Sequence, residues 1–338
     1  MKTKTIRGII FFGALIIGLG LLGYLIYREG WSEIVQTLIG FGLVPFLGFV
    51  FISALNFGLY SWRWQLILNH QVEKNQRLSL WRMYRHRMAG FAASYLTPAA
   101  QVGGEPIRIG MLMSDGISSK KATSAVMLDI TIELIAYIAF IVAGVALALI
   151  TGLGSGNLMI GIGVGLLVML IILAGFLFAV SKGDGWISKI FHGLRLDRIK
   201  SMHKIEKWIK DTEGIMGVFL HARKSFLLLI AFLAVTVISF RVVEVFYLAY
   251  FFEVQLSFAQ AFLISTLPGI ALLLPVPAGL GVFEGGFASV FLLLGVPLSA
   301  VAFALVIRLR DFAFIGFGLT HLLRRGGIVV QDVLKKRG

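Results

Sequence analysis

The chain has 338 residues, of which 58% are hydrophobic and only 14% charged, with a mean hydropathy of +0.90 and a formal net charge of +14. An average soluble domain carries roughly 25% charged residues, so this composition belongs to a polytopic membrane protein. The absence of cysteine excludes disulfides, thiolate metal sites and cysteine nucleophiles, and no GxxxxGK[ST] loop marks an ATP motor.

Met1–Arg7 is basic, and residues 6–27 form an apolar run of about the ~20 residues a spanning helix requires. A signal peptide would have a shorter apolar part closed by small residues. This run ends at Tyr27, Arg28 and Glu29, so a retained first span is expected. A second span runs from about Phe41 to Ser61 and closes on Trp62-Arg63-Trp64, a triplet suited to an interface anchor. After a polar, basic segment from Asn69 to Arg87 comes an irregular stretch, Gly90–Gly110, too interrupted for a normal span. Ala122–Ile150 is the third span and carries Asp129 and Glu133; Leu158–Val180 is the fourth. Between Ser181 and Lys224, Ile199, Met202, Ile205, Ile209, Met216 and Phe219 recur at helical spacing among lysines. That pattern predicts an amphipathic helix on the membrane surface or against the bundle. A fifth span, Phe226–Phe252, contains Arg241 and Glu244. The apolar stretch Phe258–Gly295 is broken by LLLPVPAGLGVFEGG, and a sixth span, Leu298–Leu323, carries Arg308, Arg310 and Asp311.

With the N-terminus in the cytoplasm, 27 of the 31 lysines and arginines fall on inner segments. The positive-inside rule then predicts six full spans with both termini cytoplasmic, in the cell membrane. The basic balance is thereby explained by topology and anionic lipid, which excludes nucleic acid as a partner.

Sliding the chain by 179 residues superimposes the two broken stretches without a gap: Pro98 falls on Pro277, Glu105 on Glu284, Gly116 on Gly295, and Asp129 on Arg308. Three spans separate them, an odd number, so the two would enter from opposite sides. The expected fold is all-α, a single transmembrane domain over residues 1–338. It has six spans and two oppositely oriented re-entrant hairpins in an inverted-topology repeat. Half one is about 69–150 and half two about 248–323, joined by the cytoplasmic amphipathic segment 181–224.

Each charge at membrane depth costs at least ~2.5–3.5 kcal/mol on insertion scales, so each must face a partner or water. Arg241 with Glu244, and Arg308 with Asp311, are spaced i,i+3 and are expected to pair across one turn, with Glu244 and Asp311 structural. Arg241, Arg308 and Arg310 are candidate phosphate ligands, because a guanidinium presents a planar fork to phosphate oxygens. Gly103, Gly104, Gly279 and Gly281 could bring backbone amides to the same anion. Asp129 and Glu133 share one helix face and either pair with Arg241 or Arg308 or hold a proton. Together with Glu105 and Glu284 they would neutralise a cationic headgroup or set the arginines, while Pro98 and Pro277 break the helices. The six histidines have no metal-binding spacing, and no pattern indicates a catalytic residue, a metal or a cofactor.

The stretch SYLTPAAQVGGEPIRIGMLMSDGISSKKATSAVMLDITIELIAY, then a basic linker, then LLPVPAGLGVFEGGFASVFLLLGVPLSAVAFALVIRLRDF resembles the flippase-like membrane domain of the lysylphosphatidylglycerol synthases and its stand-alone relatives. The resemblance covers nearly the whole chain. On the matching positions Pro98, Gly103, Glu105, Arg108, Asp129, Glu133, Pro277, Gly279, Gly281, Glu284 and Arg308, it implies movement of a phospholipid, aminoacyl-phospholipid, or polyprenyl-linked or glycolipid intermediate between leaflets. With the chain ending at Gly338, a synthase domain is not expected. The expected partners are membrane lipids, anionic or phosphate-bearing, with a homo-oligomer and a separate lipid-modifying enzyme as further candidates. The alternatives are a non-transporting scaffold in envelope lipid or glycan assembly, and an enzyme acting on lipid-linked sugars.

Overall fold

The computed structural model describes residues 19–96, 103–152, 156–181, 203–269, 276 and 279–335. Pro98, Pro277, residues 6–18 of the first expected span, and residues 182–202 of the amphipathic segment, with Ile199 and Met202, lie outside these residues. Among the described residues the chain is helix and turn, with no strand. The helices are α1 (residues 19–29), α2 (Trp31–Phe41), α3 (Leu43–Gln71), α4 (Leu80–Leu96), α5 (Glu105–Ser114) and α6 (Ser119–Ile150). They continue as α7 (Gly156–Ser181), α8 (His203–Leu220), α9 (Lys224–Phe251), α10 (Phe258–Thr266), α11 (Val282–Leu294) and α12 (Ala300–Lys335).

Helices α3, α6 and α9 are long and apolar enough to cross a membrane. The fourth and sixth expected spans fall on α7 and α12, and residues 19–27 of the first fall on α1. Two boundaries differ from expectation. Helix α3 continues ten residues past Ser61 to Gln71, which carries Arg63 into the bundle. The stretch after Glu29 forms α2 rather than a loop, and the Glu29 carboxylate reaches the start of α12. There it accepts from the Ser299 hydroxyl and, at 3.3 Å, from the Val301 amide. A carboxylate at a helix N-terminus satisfies an otherwise orphaned amide and the helix dipole together.

The order long helix, shorter helix, break, short helix, glycine turn, long helix occurs over α3–α6 and again over α9–α12. The two turns use Gly116 at φ 84° and Gly295 at φ 62°, a left-handed conformation that costs glycine no steric strain. Between the two sets, α3 packs on α9, α4 on α12, α10 on α6, α9 on α6, and α3 on α12. Helix α8 lies against α6, α7 and α3, burying Met216 and Phe219, so the amphipathic segment docks on the bundle.

The turn after α5 ties three elements together. Asp115 lies 2.7 Å from His86 Nε2 on α4 and accepts from Arg325 on α12 at 2.5 Å, while His86 Nδ1 is 3.1 Å from His321 on α12. Burial pushes the Asp115 carboxyl up, but the hydrogen bonds and charge of His86 and Arg325 more than reverse this. The carboxyl therefore lies below the usual carboxylate range. A depressed folded value means stability that is present above the unfolded carboxylate value of about 4 and lost as the pH falls through the folded value. Asp115→Asn is expected to remove about 2 kcal/mol at neutral pH. In thermal melts of detergent-purified protein, the gap between wild type and variant should close below roughly pH 4.

Two apolar cores sit at opposite ends of the long helices. One gathers Phe49 of α3, Ile138 and Val145 of α6, Leu248 of α9 and Phe303 of α12. The other gathers Trp64 and Ile67 of α3, Leu112 of α5, Ala125 and Leu128 of α6, Phe219 of α8 and Ile230 of α9. Between them the interior is polar.

Candidate functional site

A cavity of about 470 Å³ lies between the two cores, within the usual 300–1,000 Å³ range of ligand sites. Its walls come from α3, α4, α5, α6, α9, α10, α11, α12 and the turn after α10. The polar residues that reach it on the three membrane-length helices are near their midpoints: Asn56 and Tyr60 on α3, Glu133 and Tyr137 on α6, and Arg241 and Glu244 on α9. Five guanidiniums, those of Arg87, Arg108, Arg241, Arg308 and Arg310, line it with four carboxylates, Glu105, Glu133, Glu244 and Asp311.

One charge network is centred on Asp129, which is fully buried on α6. Its carboxylate accepts from Arg63 Nε at 3.0 Å and Nη2 at 2.8 Å, from Arg87 at 2.5 Å, and from Arg108. Glu133, one turn on, takes Arg63 at 3.0 Å and Arg87 at 3.6 Å and keeps part of its side chain open to the cavity. The Trp64 ring lies 4.1 Å from the Arg108 guanidinium, so this tryptophan covers cations inside the bundle and is no interface anchor. These partners differ from the expected Arg241 and Arg308. Arg63 belongs to the triplet that closes the second expected span, Arg87 ends the polar, basic segment after it, and Arg108 lies in the irregular stretch. The extension of α3 and the inward face of α4 bring them to the one carboxylate that three cations can share.

A second network surrounds α12. Arg308 donates to Glu284 through Nε at 2.5 Å and Nη2 at 3.1 Å, to the Tyr95 hydroxyl at 2.5 Å, and to the Gly279 carbonyl at 2.9 Å. Arg310 donates to Ser53 at 2.8 Å, meets Glu244 at 3.3 Å, and pairs with its neighbour Asp311 at 3.0 Å. The expected i,i+3 pairs are thus replaced: Glu244 and Asp311 share Arg310, and Arg308 takes Glu284. For Arg308 the reason is geometric: Glu284 at the start of α11 meets it as a fork, Nε to Oε1 and Nη2 to Oε2, which a one-turn intrahelical pair does not, while Arg310 takes Glu244 through Nη1 and its neighbour Asp311 through Nε.

Arg241 stands apart. It faces Tyr60 and Tyr137, with the Tyr137 ring centroid 4.9 Å away, and no carboxylate lies at ion-pair distance among the described residues. Of the three arginines expected to hold phosphate, it is the one with no carboxylate at ion-pair distance among the described residues, Tyr60 being its hydrogen-bond partner and Glu244 the carboxylate whose charge acts on it.

The glycines act through their backbone packing. A Cβ on Gly104 would run into the Gly90 carbonyl and the Ser94 hydroxyl of α4, so its small size permits the α4–α5 contact; Gly103 precedes it in the bend. Gly104→Ala is expected to cost about 1–3 kcal/mol, read as a lowered melting temperature. Gly279 gives its amide to Val276 and its carbonyl to Arg308, so it offers no amide to an anion here, and Gly281 caps α11 with its carbonyl accepting from the Gly285 amide. Glu105 opens α5 with Oε2 buried and unpartnered, and Asn56 likewise has an unpartnered Oδ1.

Sequence reasoning missed Ser53, Asn56, Tyr60 and Arg63. They recur every three to four residues along α3, all buried, and that polar stripe in an apolar helix was the available signal. Tyr95 and Tyr137 carried no such signal. No curated protein matches the chain. A family model described as the lysylphosphatidylglycerol synthase TM region matches residues 10–317, a span that includes both charge networks and every charged residue of the cavity. The chain therefore belongs to the lysylphosphatidylglycerol synthase TM region family.

Proposed function

We propose that this membrane protein carries a lipid headgroup between leaflets through the central cavity, the acyl chains remaining in the bilayer. The observation that carries the reading is Arg241, a guanidinium with no carboxylate at ion-pair distance among the described residues, in a charged cavity at the midpoints of three membrane-length helices. An arginine at that depth with no carboxylate at ion-pair distance is expensive, and a ligand phosphate offsets the cost. Glu105 and Glu133 present carboxylate oxygens to the same space and would receive a cationic part of the headgroup. The remaining charges hold the walls.

The reading includes six spans with both termini in the cytoplasm of a cell membrane, and the halves 69–150 and 248–323 as an inverted repeat. Its support is the recurring element order and the reciprocal packing of α4 on α12 and α10 on α6. In such a fold two hairpins enter from opposite sides and meet at the cavity. Transport without chemistry on the lipid is the activity assigned, the substrate being a phospholipid, aminoacyl-phospholipid, or polyprenyl-linked or glycolipid.

The test is reconstitution of the full chain into vesicles carrying fluorescent lipids of several headgroups, with leaflet exchange followed by dithionite quenching. Accelerated loss of the protected signal for at least one phosphate-bearing headgroup is expected. Rates equal to those of protein-free vesicles across the panel, with the protein folded, contradict the reading.

A further inference from the structure

The seam between α4 and α12 carries an aromatic and basic cluster on the outside of the bundle. A Cβ on Gly318 of α12 would run into the Met88 carbonyl, so glycine lets the two backbones touch there. That approach brings Phe317 against the first two turns of α4, its ring centroid 5.9 Å from Trp81 and 6.2 Å from Tyr84, which themselves stack at 5.6 Å. Their packing does not hide the rings: Trp81 is 57% exposed and Phe317 37%. One turn after Trp81, the Arg85 guanidinium lies 5.8 Å from the indole. Its Nε is buried, whereas both terminal nitrogens reach the surface and donate to no protein acceptor among the described residues. Nor does a carboxylate among those residues meet it at ion-pair distance. Asp115, near this end of the seam, is held by His86 and Arg325, and Arg82, 44% exposed, stands 3.9 Å from it. Trp81, Arg82, Tyr84, Arg85 and Phe317 all lie outside the lining of the central cavity.

Tryptophan and tyrosine beside arginine suit the interfacial zone of a bilayer, where the rings take the glycerol level and the guanidinium reaches the phosphates. On the topology proposed above, this end of α4 faces the cytoplasm, whose leaflet carries the anionic lipids. A second copy of the chain fits poorly, because an isologous contact would set Arg82 and Arg85 against the same charges. We propose that Trp81, Tyr84, Phe317, Arg82 and Arg85 form a site for an anionic glycerophospholipid of the cytoplasmic leaflet. Arg85 forks to the phosphate, Arg82 adds attraction for the net charge, and the rings hold the glycerol backbone and upper acyl chain. The lipid is a resident that ties α4 to α12, distinct from anything that passes through the cavity.

The experiment places the full chain in phosphatidylcholine nanodiscs and titrates in phosphatidylglycerol or phosphatidylcholine with brominated acyl chains, which quench nearby indoles. Quenching that belongs to Trp81 is the wild-type signal less that of Trp81→Phe. The expected result is half-maximal quenching at a mole fraction at least about tenfold lower for phosphatidylglycerol than for phosphatidylcholine. Arg85→Gln should bring the two lipids together, and Arg85→Lys, which keeps the charge but not the fork, should retain part of the preference. Inorganic phosphate at millimolar concentration should leave the brominated phosphatidylglycerol in place. Because binding alone is read, the outcome does not depend on whether the protein moves lipid. Equal quenching by the two lipids, or a preference that survives Arg85→Gln, overturns the proposal. Displacement by inorganic phosphate overturns it in favour of a free anion. A wild-type dimer in light scattering that shields Trp81 from both lipids overturns it in favour of a second copy.

Discussion

Replacing Asp129 by asparagine is expected to destabilise the protein by about 3–5 kcal/mol, the range for removing one partner of a buried ionic cluster. The carboxylate takes hydrogen bonds from three guanidiniums on three different helices, Arg63 on α3, Arg87 on α4 and Arg108 on α5. Asparagine keeps the size but has one oxygen and no charge. Glu133 alone would then face three buried cations, and it reaches only Arg63 and Arg87. The expectation is a poor yield of monodisperse protein after extraction and a melting temperature well below wild type. Asp129→Glu, which keeps the charge, should recover much of it. A melt of Asp129→Asn indistinguishable from wild type would mean that the arginines are held by something other than this carboxylate.

Arg308→Ala is expected to have an effect of similar size, again about 3–5 kcal/mol, because it leaves Glu284 charged, fully buried and unpaired. It also releases the Gly279 carbonyl and the Tyr95 hydroxyl. The guanidinium is thus a tie joining α12 to the start of α11 and, through Tyr95, to α4. Removing both charges separates this structural role from a role in binding. Arg308→Met with Glu284→Leu should restore most of the stability, since well-packed apolar pairs replace buried ion pairs at little or no cost. Leaflet exchange by the double variant should persist if the phosphate rests on Arg241. Melting curves and exchange rates of the single and double variants form the cycle that checks this.

The helices were legible in the sequence because hydropathy and length decide them. The positions of α3, α6 and α9 follow from uninterrupted apolar runs, and the family resemblance followed from the paired breaks with their flanking charges. Which charges would come together in one cavity was legible in part: Glu105, Glu133, Arg241, Arg308 and Arg310 reach it, whereas Asp129 and Glu284 lie behind its lining and Glu244 and Asp311, read as structural, are part of it. The pairing was not. Arg63 and Arg87 looked like loop cations because a one-dimensional charge count cannot distinguish a helix that ends at Ser61 from one that continues to Gln71. Partner choice depends on which helix faces cross, and Tyr95, 213 residues from Arg308 in the chain, has no local pattern announcing that contact. The roles of the candidate arginines shifted as a result. Arg308 and Arg310 are engaged with carboxylates, and the proposed phosphate contact falls to Arg241.

The most direct measurement of that assignment is leaflet exchange by Arg241→Leu in vesicles, beside its melting curve in detergent. Arg241 has no carboxylate to orphan, so the variant should melt within a few degrees of wild type. Its exchange rate for phosphate-bearing lipids should fall at least about tenfold, the loss of one charge-assisted contact. A folded Arg241→Leu protein that exchanges lipid at the wild-type rate would contradict the account.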